Sequence, residues 1–130
     1  MKWNFENGIP IYLQILSRLR NEIAGGAWKP GEKLPPVREL ALEAGVNPNT
    51  MQRALAELER DGLVYTQRTS GRFVTEDAAI LKKLRKSLSE EVVNEMCRRL
   101  VLLGMSREEI GTAVEEWVRN HLSERPAEPE

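Results

Sequence analysis

The chain has 130 residues, 41% hydrophobic and 30% charged, with a formal net charge of -1, a composition that fits one soluble core with a small appendage and excludes both a disordered chain and two domains of ordinary size. No unbroken apolar run exceeds four residues, far short of the ~20 needed to cross a bilayer, and Met1 to Glu6 lacks the basic region, apolar stretch and cleavage site of a secretory signal, so a cytoplasmic protein without membrane contact is expected. The single cysteine, Cys97, has no Cys or His companion at ligand spacing, which excludes disulfide and zinc scaffolds and leaves no metal or cofactor to expect.

Tyr12, Ile15, Leu16, Leu19 and Ile23 fall at helical spacing, with Pro10 before them and Gly25-Gly26 after, so a first helix is predicted from Ile11. Lys29 to Lys33 reads as a turn. Leu34-Pro35-Pro36 leads into a short helix carrying Arg38, Leu40, Ala41 and Ala44, and Gly45-Val46 ends it. Asn47 is a natural N-cap and Pro48 suits the first helical position. In the third helix that follows, Met51, Ala54, Leu55 and Leu58 share one face, leaving Asn49, Gln52, Arg53 and Glu57 on the other. After Asp61-Gly62, two short β-prone segments, Leu63 to Thr66 and Arg72 to Thr75, flank the polar turn Gln67 to Gly71, a hairpin with a basic tip. Two helices, a turn, a third helix and a hairpin make a winged helix-turn-helix in residues 1–75.

From Glu76 to Leu103 there is no glycine or proline, and Leu81, Leu84, Leu88, Val92, Met96, Leu100 and Leu103 step by three and four, implying one long amphipathic helix. Gly104 is its stop. Ser106-Arg107-Glu108-Glu109 is a capping box for a last helix carrying Ile110, Ala113, Val114, Trp117 and Val118. The expected fold is therefore mainly α with a small β-hairpin: the winged helix-turn-helix, a two-helix dimerisation tail at 76–123, and a disordered end at 124–130, where Pro126 and Pro129 stand.

Charge is distributed unevenly. Residues 1–75 carry 10 basic and 8 acidic residues and the remainder 9 and 12, and two windows, Ala44 to Ala56 and Gly62 to Thr75, contain no acid. An anion would meet little repulsion there. Asn47, Pro48, Asn49, Thr50, Gln52 and Arg53 open the third helix with the short polar groups that read base edges, Asn and Gln suiting adenine and Arg suiting guanine or phosphate. Arg68 and Arg72 flank Gly71 on the hairpin, where a cation meets a flanking phosphate or the minor groove. Arg38 begins the preceding helix, within reach of the backbone or, alternatively, of Glu39 and Glu43 on its own helix.

These residues resemble the GntR family of bacterial transcription regulators, and within it the short YtrA-like subgroup. The likeness runs through Pro10 to Ile15, Pro30 to Pro35, Val37 to Ala41, Val46 to Thr50, Leu58 to Leu63 and Gly71 to Val74, in order over residues 9–75. It implies that Arg38 contacts DNA, that the helix beginning near Pro48 enters the major groove, that the wing glycine, Gly71, approaches the minor groove, and that the tail serves dimerisation. Pro36 stands where the family often has a capping serine, and Thr69 and Arg72 replace a glycine and a threonine of the usual wing pattern.

The long helix offers more apolar surface than the short one after it covers, so a homodimer contacting through Leu81, Leu84, Leu88, Val92, Met96, Leu100, Leu103, Ile110, Val114 and Trp117 is expected, on a palindromic double-stranded DNA operator. The function expected is sequence-specific repression; the alternative is a winged helix that binds protein without reading DNA. An unidentified small-molecule effector is the other partner considered, at an interface rather than in a pocket of the tail. With no phosphate loop, no paired metal ligands and one histidine, an enzyme is not expected. Cys97 and His121 read as packing or surface residues before they read as sensors.

Overall fold

A computed structural model describes residues 3–123. The first helix, α1 (Ile11–Gly25), starts immediately after Pro10 and ends where Gly26 turns left-handed. Its buried face is Ile15, Leu16, Leu19 and Ile23. Ahead of it, residues 3–6 form a strap: Gln14 donates through Nε2 to the carbonyls of Glu6 and Ile9, both at 2.9 Å, and accepts from the Glu6 amide at 2.8 Å. That clamp lays Trp3 and Phe5 against the edge of the core.

The short α2 (Val37–Ala44) follows Pro36, which supplies no side-chain cap. Gly45, at φ 73°, closes it and begins the turn to α3 (Pro48–Arg60). An L side chain at that φ would be strained. Met51, Ala54, Leu55 and Leu58 of α3 are buried between α1 and α2 with Leu40, Ala41 and Ala44. Each fully buried leucine or methionine contributes about 1.5–3 kcal/mol of transfer free energy, so α3 is fixed by its inner face while its outer face is left for other work.

Strands β1 (Val64–Gln67) and β2 (Gly71–Val74) pair antiparallel, with Val64 opposite Val74, Tyr65 opposite Phe73, Thr66 opposite Arg72 and Gln67 opposite Gly71. Val64 and Val74 are buried, whereas Tyr65 and Phe73 stack with ring centres 5.7 Å apart on the other face. A third segment joins this hairpin where a simple turn is expected. Leu34 donates to the Arg72 carbonyl, Val74 to that of Glu32 and Gly31 to that of Val74, each at 2.9 Å, and Lys33 faces Phe73.

Asp77 caps α4 (Ala78–Leu102) by accepting from the Ala79 amide at 2.9 Å. The described residues fall into two compact units, divided between Leu88 and Ser89. The first unit extends into α4 because Leu81 is buried in its core, with Ile80 and Leu84 packed against it. This corrects the expectation that Leu81 faces a second subunit. The reason is position along the helix and not direction around it: Leu81 and Val92 differ by only about 20° around the axis but by about 16.5 Å along it, so the first turns of α4 are the ones packed on the core of the first unit.

The second unit comprises the rest of α4, a turn at Gly104 and α5 (Arg107–His121). The capping box at α5 forms as expected: Ser106 Oγ accepts from the Glu109 amide at 3.2 Å while Glu109 accepts from the Ser106 amide at 2.8 Å. No described residue of this unit is buried. Val92, Val101, Leu102, Leu103, Trp117 and Val118 are all exposed. The expected disordered end at 124–130 lies outside the described residues, and no helix among those described is long and apolar enough to cross a membrane.

Candidate nucleic-acid interface

Asn47 fixes where the reader helix begins. Its Oδ1 accepts from the Asn49 amide at 2.8 Å, and its carbonyl accepts from Thr50 and Met51 at 3.0 and 3.1 Å. With Pro48 as the first helical residue, the opening turn projects Asn49, Gln52 and Arg53 outward, all exposed, with Thr50 half-buried beside them. Asn49 and Gln52 make no side-chain hydrogen bond among the described residues, so their amides are open to base edges.

The acids of α3 and its C-cap stand in the second half of the helix or just beyond it, and each is occupied. Glu57 pairs with Arg60 at 2.9 Å, Glu59 accepts from Thr66 Oγ1 at 2.9 Å, and Asp61 pairs with Arg20 of α1. Negative charge is thereby held away from the opening turns and partly neutralised where it stands. Arg38, on the first turn of α2, is exposed and makes no ion pair among the described residues, so the alternative of pairing with Glu39 or Glu43 is not taken. Arg53 stacks over the ring of Tyr12.

The wing differs from expectation in one residue. Arg68 is exposed in the turn and Gly71 starts β2 with φ 111°. Arg72, expected beside them at the tip, instead turns back toward α3. Its side chain is only 20% exposed, and its buried Nε lies 3.6 Å from Glu59 Oε1 without a hydrogen bond. The register explains this, because Arg72 sits opposite Thr66, the residue already bonded to Glu59. Arg72 therefore ties the hairpin to the reader helix.

The model of the bacterial regulatory proteins of the gntR family matches residues 11–74. The HTH-type transcriptional regulator YhcF of Bacillus subtilis is 41% identical over 82% of this chain and 88% of its own, and the HTH-type transcriptional repressor YtrA of the same organism is 34% identical over 85% and 82%. The chain belongs to the gntR family. A solved GntR family transcriptional regulator from Listeria monocytogenes superposes with a TM-score of 0.79 at 37% identity, covering 86% of this chain and 98% of that one. The AraR DNA-binding domain, solved in complex with operator ORX1, matches at a TM-score of 0.52 and 27% identity over 58% of this chain and 99% of that one. The architecture is thus the winged helix-turn-helix of GntR regulators, which are DNA-binding proteins and not enzymes.

Two neighbours of this GntR interface have no local signal in the sequence. Tyr12 reads as one more apolar residue of α1, although its ring supports Arg53. Lys33 reads as part of a turn, although its backbone runs along β2. Both depend on contacts between distant segments, and hydrophobic periodicity does not report those.

Proposed function

We propose that the chain is a sequence-specific transcriptional repressor that acts in the cytoplasm and binds a palindromic operator as a homodimer. The observation that carries this reading is the outer face of α3: Asn49, Gln52 and Arg53 stand exposed on acid-free opening turns, while every acid of that helix is held at the far end. The opening turns enter the major groove, where Asn49 and Gln52 suit adenine and Arg53 suits guanine or phosphate. Asn47, Pro48 and Thr50 shape the approach, Arg38 binds the backbone, and Arg68 with Gly71 lies at the flanking minor groove. The operator complex of the AraR domain and the name of the repressor YtrA support the same assignment.

The pairing of subunits is argued from the second unit. It has no buried residue among those described, yet Val92, Met96, Leu100, Leu103, Ile110, Val114 and Trp117 give it an apolar surface. A second copy covers that surface, and two-fold symmetry then presents two reader helices to half-sites ~34 Å apart. Occupying such a site excludes polymerase. The test is fluorescence anisotropy and footprinting on the DNA upstream of its gene across a salt series. Steeply salt-dependent binding with symmetric protection is expected; salt-insensitive binding, or protection of a single half-site by a monomer, would refute it.

A further inference from the structure

The third segment of the wing brings a cation to the place that Arg72 leaves. Residues 31–34 run antiparallel to β2, so their side chains alternate between core and solvent: Leu34 is buried and Lys33 is exposed. The Lys33 side chain lies along the backbone of Gly71. A Cβ on that glycine would stand 3.2 Å from Lys33 Cε and 4.0 Å from Nζ. Gly71 closes the hairpin opposite Gln67, so the ammonium sits by the tip, near the turn that carries Arg68. No acid pairs with it among the described residues. Its neighbour Glu32 is turned away and accepts from the Lys29 amide at 2.8 Å.

We infer that Lys33, and not Arg72, is the second phosphate-binding cation of the wing, acting with Arg68 on the DNA backbone beside the reader helix. The inference rests on the DNA-binding reading above. Arg72 is held by Glu59 with a buried Nε, whereas Lys33 presents an exposed, unpaired ammonium, a point charge with three donors that suits phosphate. The absent side chain at Gly71 has a second consequence, since it leaves room for the lysine stem to cross the strand. A phosphate contact carries no base information, so its loss weakens binding to all sequences alike.

The test uses the full chain and two duplexes, one carrying the footprinted operator and one unrelated, titrated by anisotropy from low to moderate salt. Lys33→Gln is expected to weaken both complexes several-fold and to reduce the salt slope by about 1. Lys33→Arg keeps slope and affinity, Arg72→Gln leaves the slope unchanged, and melting curves of all three variants report whether the fold is intact. If wild type binds with a steep slope and Lys33→Gln matches it, or if Arg72→Gln alone lowers the slope, the inference is overturned while the DNA-binding reading stands. If wild type shows no salt-dependent binding, that reading fails and this inference falls with it.

Discussion

The guanidinium of Arg53 lies 3.7 Å from the centre of the Tyr12 ring, so a residue of α1 holds a side chain of the reader helix in place before DNA arrives. A cation over an exposed aromatic face is worth about 0.5–1 kcal/mol, and restricting the arginine also lowers the entropy lost on binding. Tyr12→Ala is expected to weaken operator binding about 2- to 5-fold, whereas Tyr12→Phe, which keeps the ring, binds as wild type. Anisotropy at fixed salt measures this. Equal affinity for wild type and Tyr12→Ala would show that Arg53 needs no support.

Asn47 has a structural task that can be separated from DNA contact. Its Oδ1 caps α3 through the Asn49 amide, so Asn47→Ala should cost about 1 kcal/mol in urea unfolding. Asn47→Asp keeps the cap, and a carboxylate at a helix N-terminus is favourable, so stability is retained. The same charge repels phosphate, so this variant is expected to bind DNA more weakly despite an intact fold. Unchanged binding by Asn47→Asp would place the residue away from the backbone.

The helices were legible because their boundaries are written locally. Pro10, the Gly45 turn, the Asn47-Pro48 opening and the Ser106 capping box each act within a few residues, and each stands where expected. The missed features are long-range. The strap at Trp3 and Phe5 depends on the Gln14 amide, and the edge formed by residues 31–34 depends on β2. Arg72 could be read as basic, but its pairing with Glu59 follows from the hairpin register. In α4 the steps of three and four were visible, while the packing of its first turns on the core, which buries Leu81 in the first unit, is again a contact between distant segments.

Glu59 joins the wing to the reader helix through Thr66 and Arg72. In Glu59→Gln the amide oxygen still accepts from Thr66, but the charge facing Arg72 is gone. Glu59 is 40% exposed and the separation is 3.6 Å, so the stability change should stay below about 1 kcal/mol. Removing an acid near the DNA face should meanwhile raise affinity for any duplex and steepen the salt dependence. A thermal melt and a salt titration check the two parts, and weaker DNA binding with an unchanged melt would contradict this placing of Glu59.

Leu81, on the first turn of α4, and Leu103, immediately after its last residue, should fail in different ways. Leu81 is 8% exposed within the core of the first unit, whereas Leu103 is 75% exposed in the second. Leu81→Ala removes buried volume and should cost about 2–5 kcal/mol at every protein concentration. Leu103→Ala leaves that core untouched and weakens self-association, so its melting temperature should fall most in dilute solution, where subunits separate. Melts over a hundredfold concentration range, with sedimentation at each end, distinguish the two. A concentration-independent loss in Leu103→Ala would mean that its apolar surface is covered within one chain, and the proposed pairing of second units would then lose its main support.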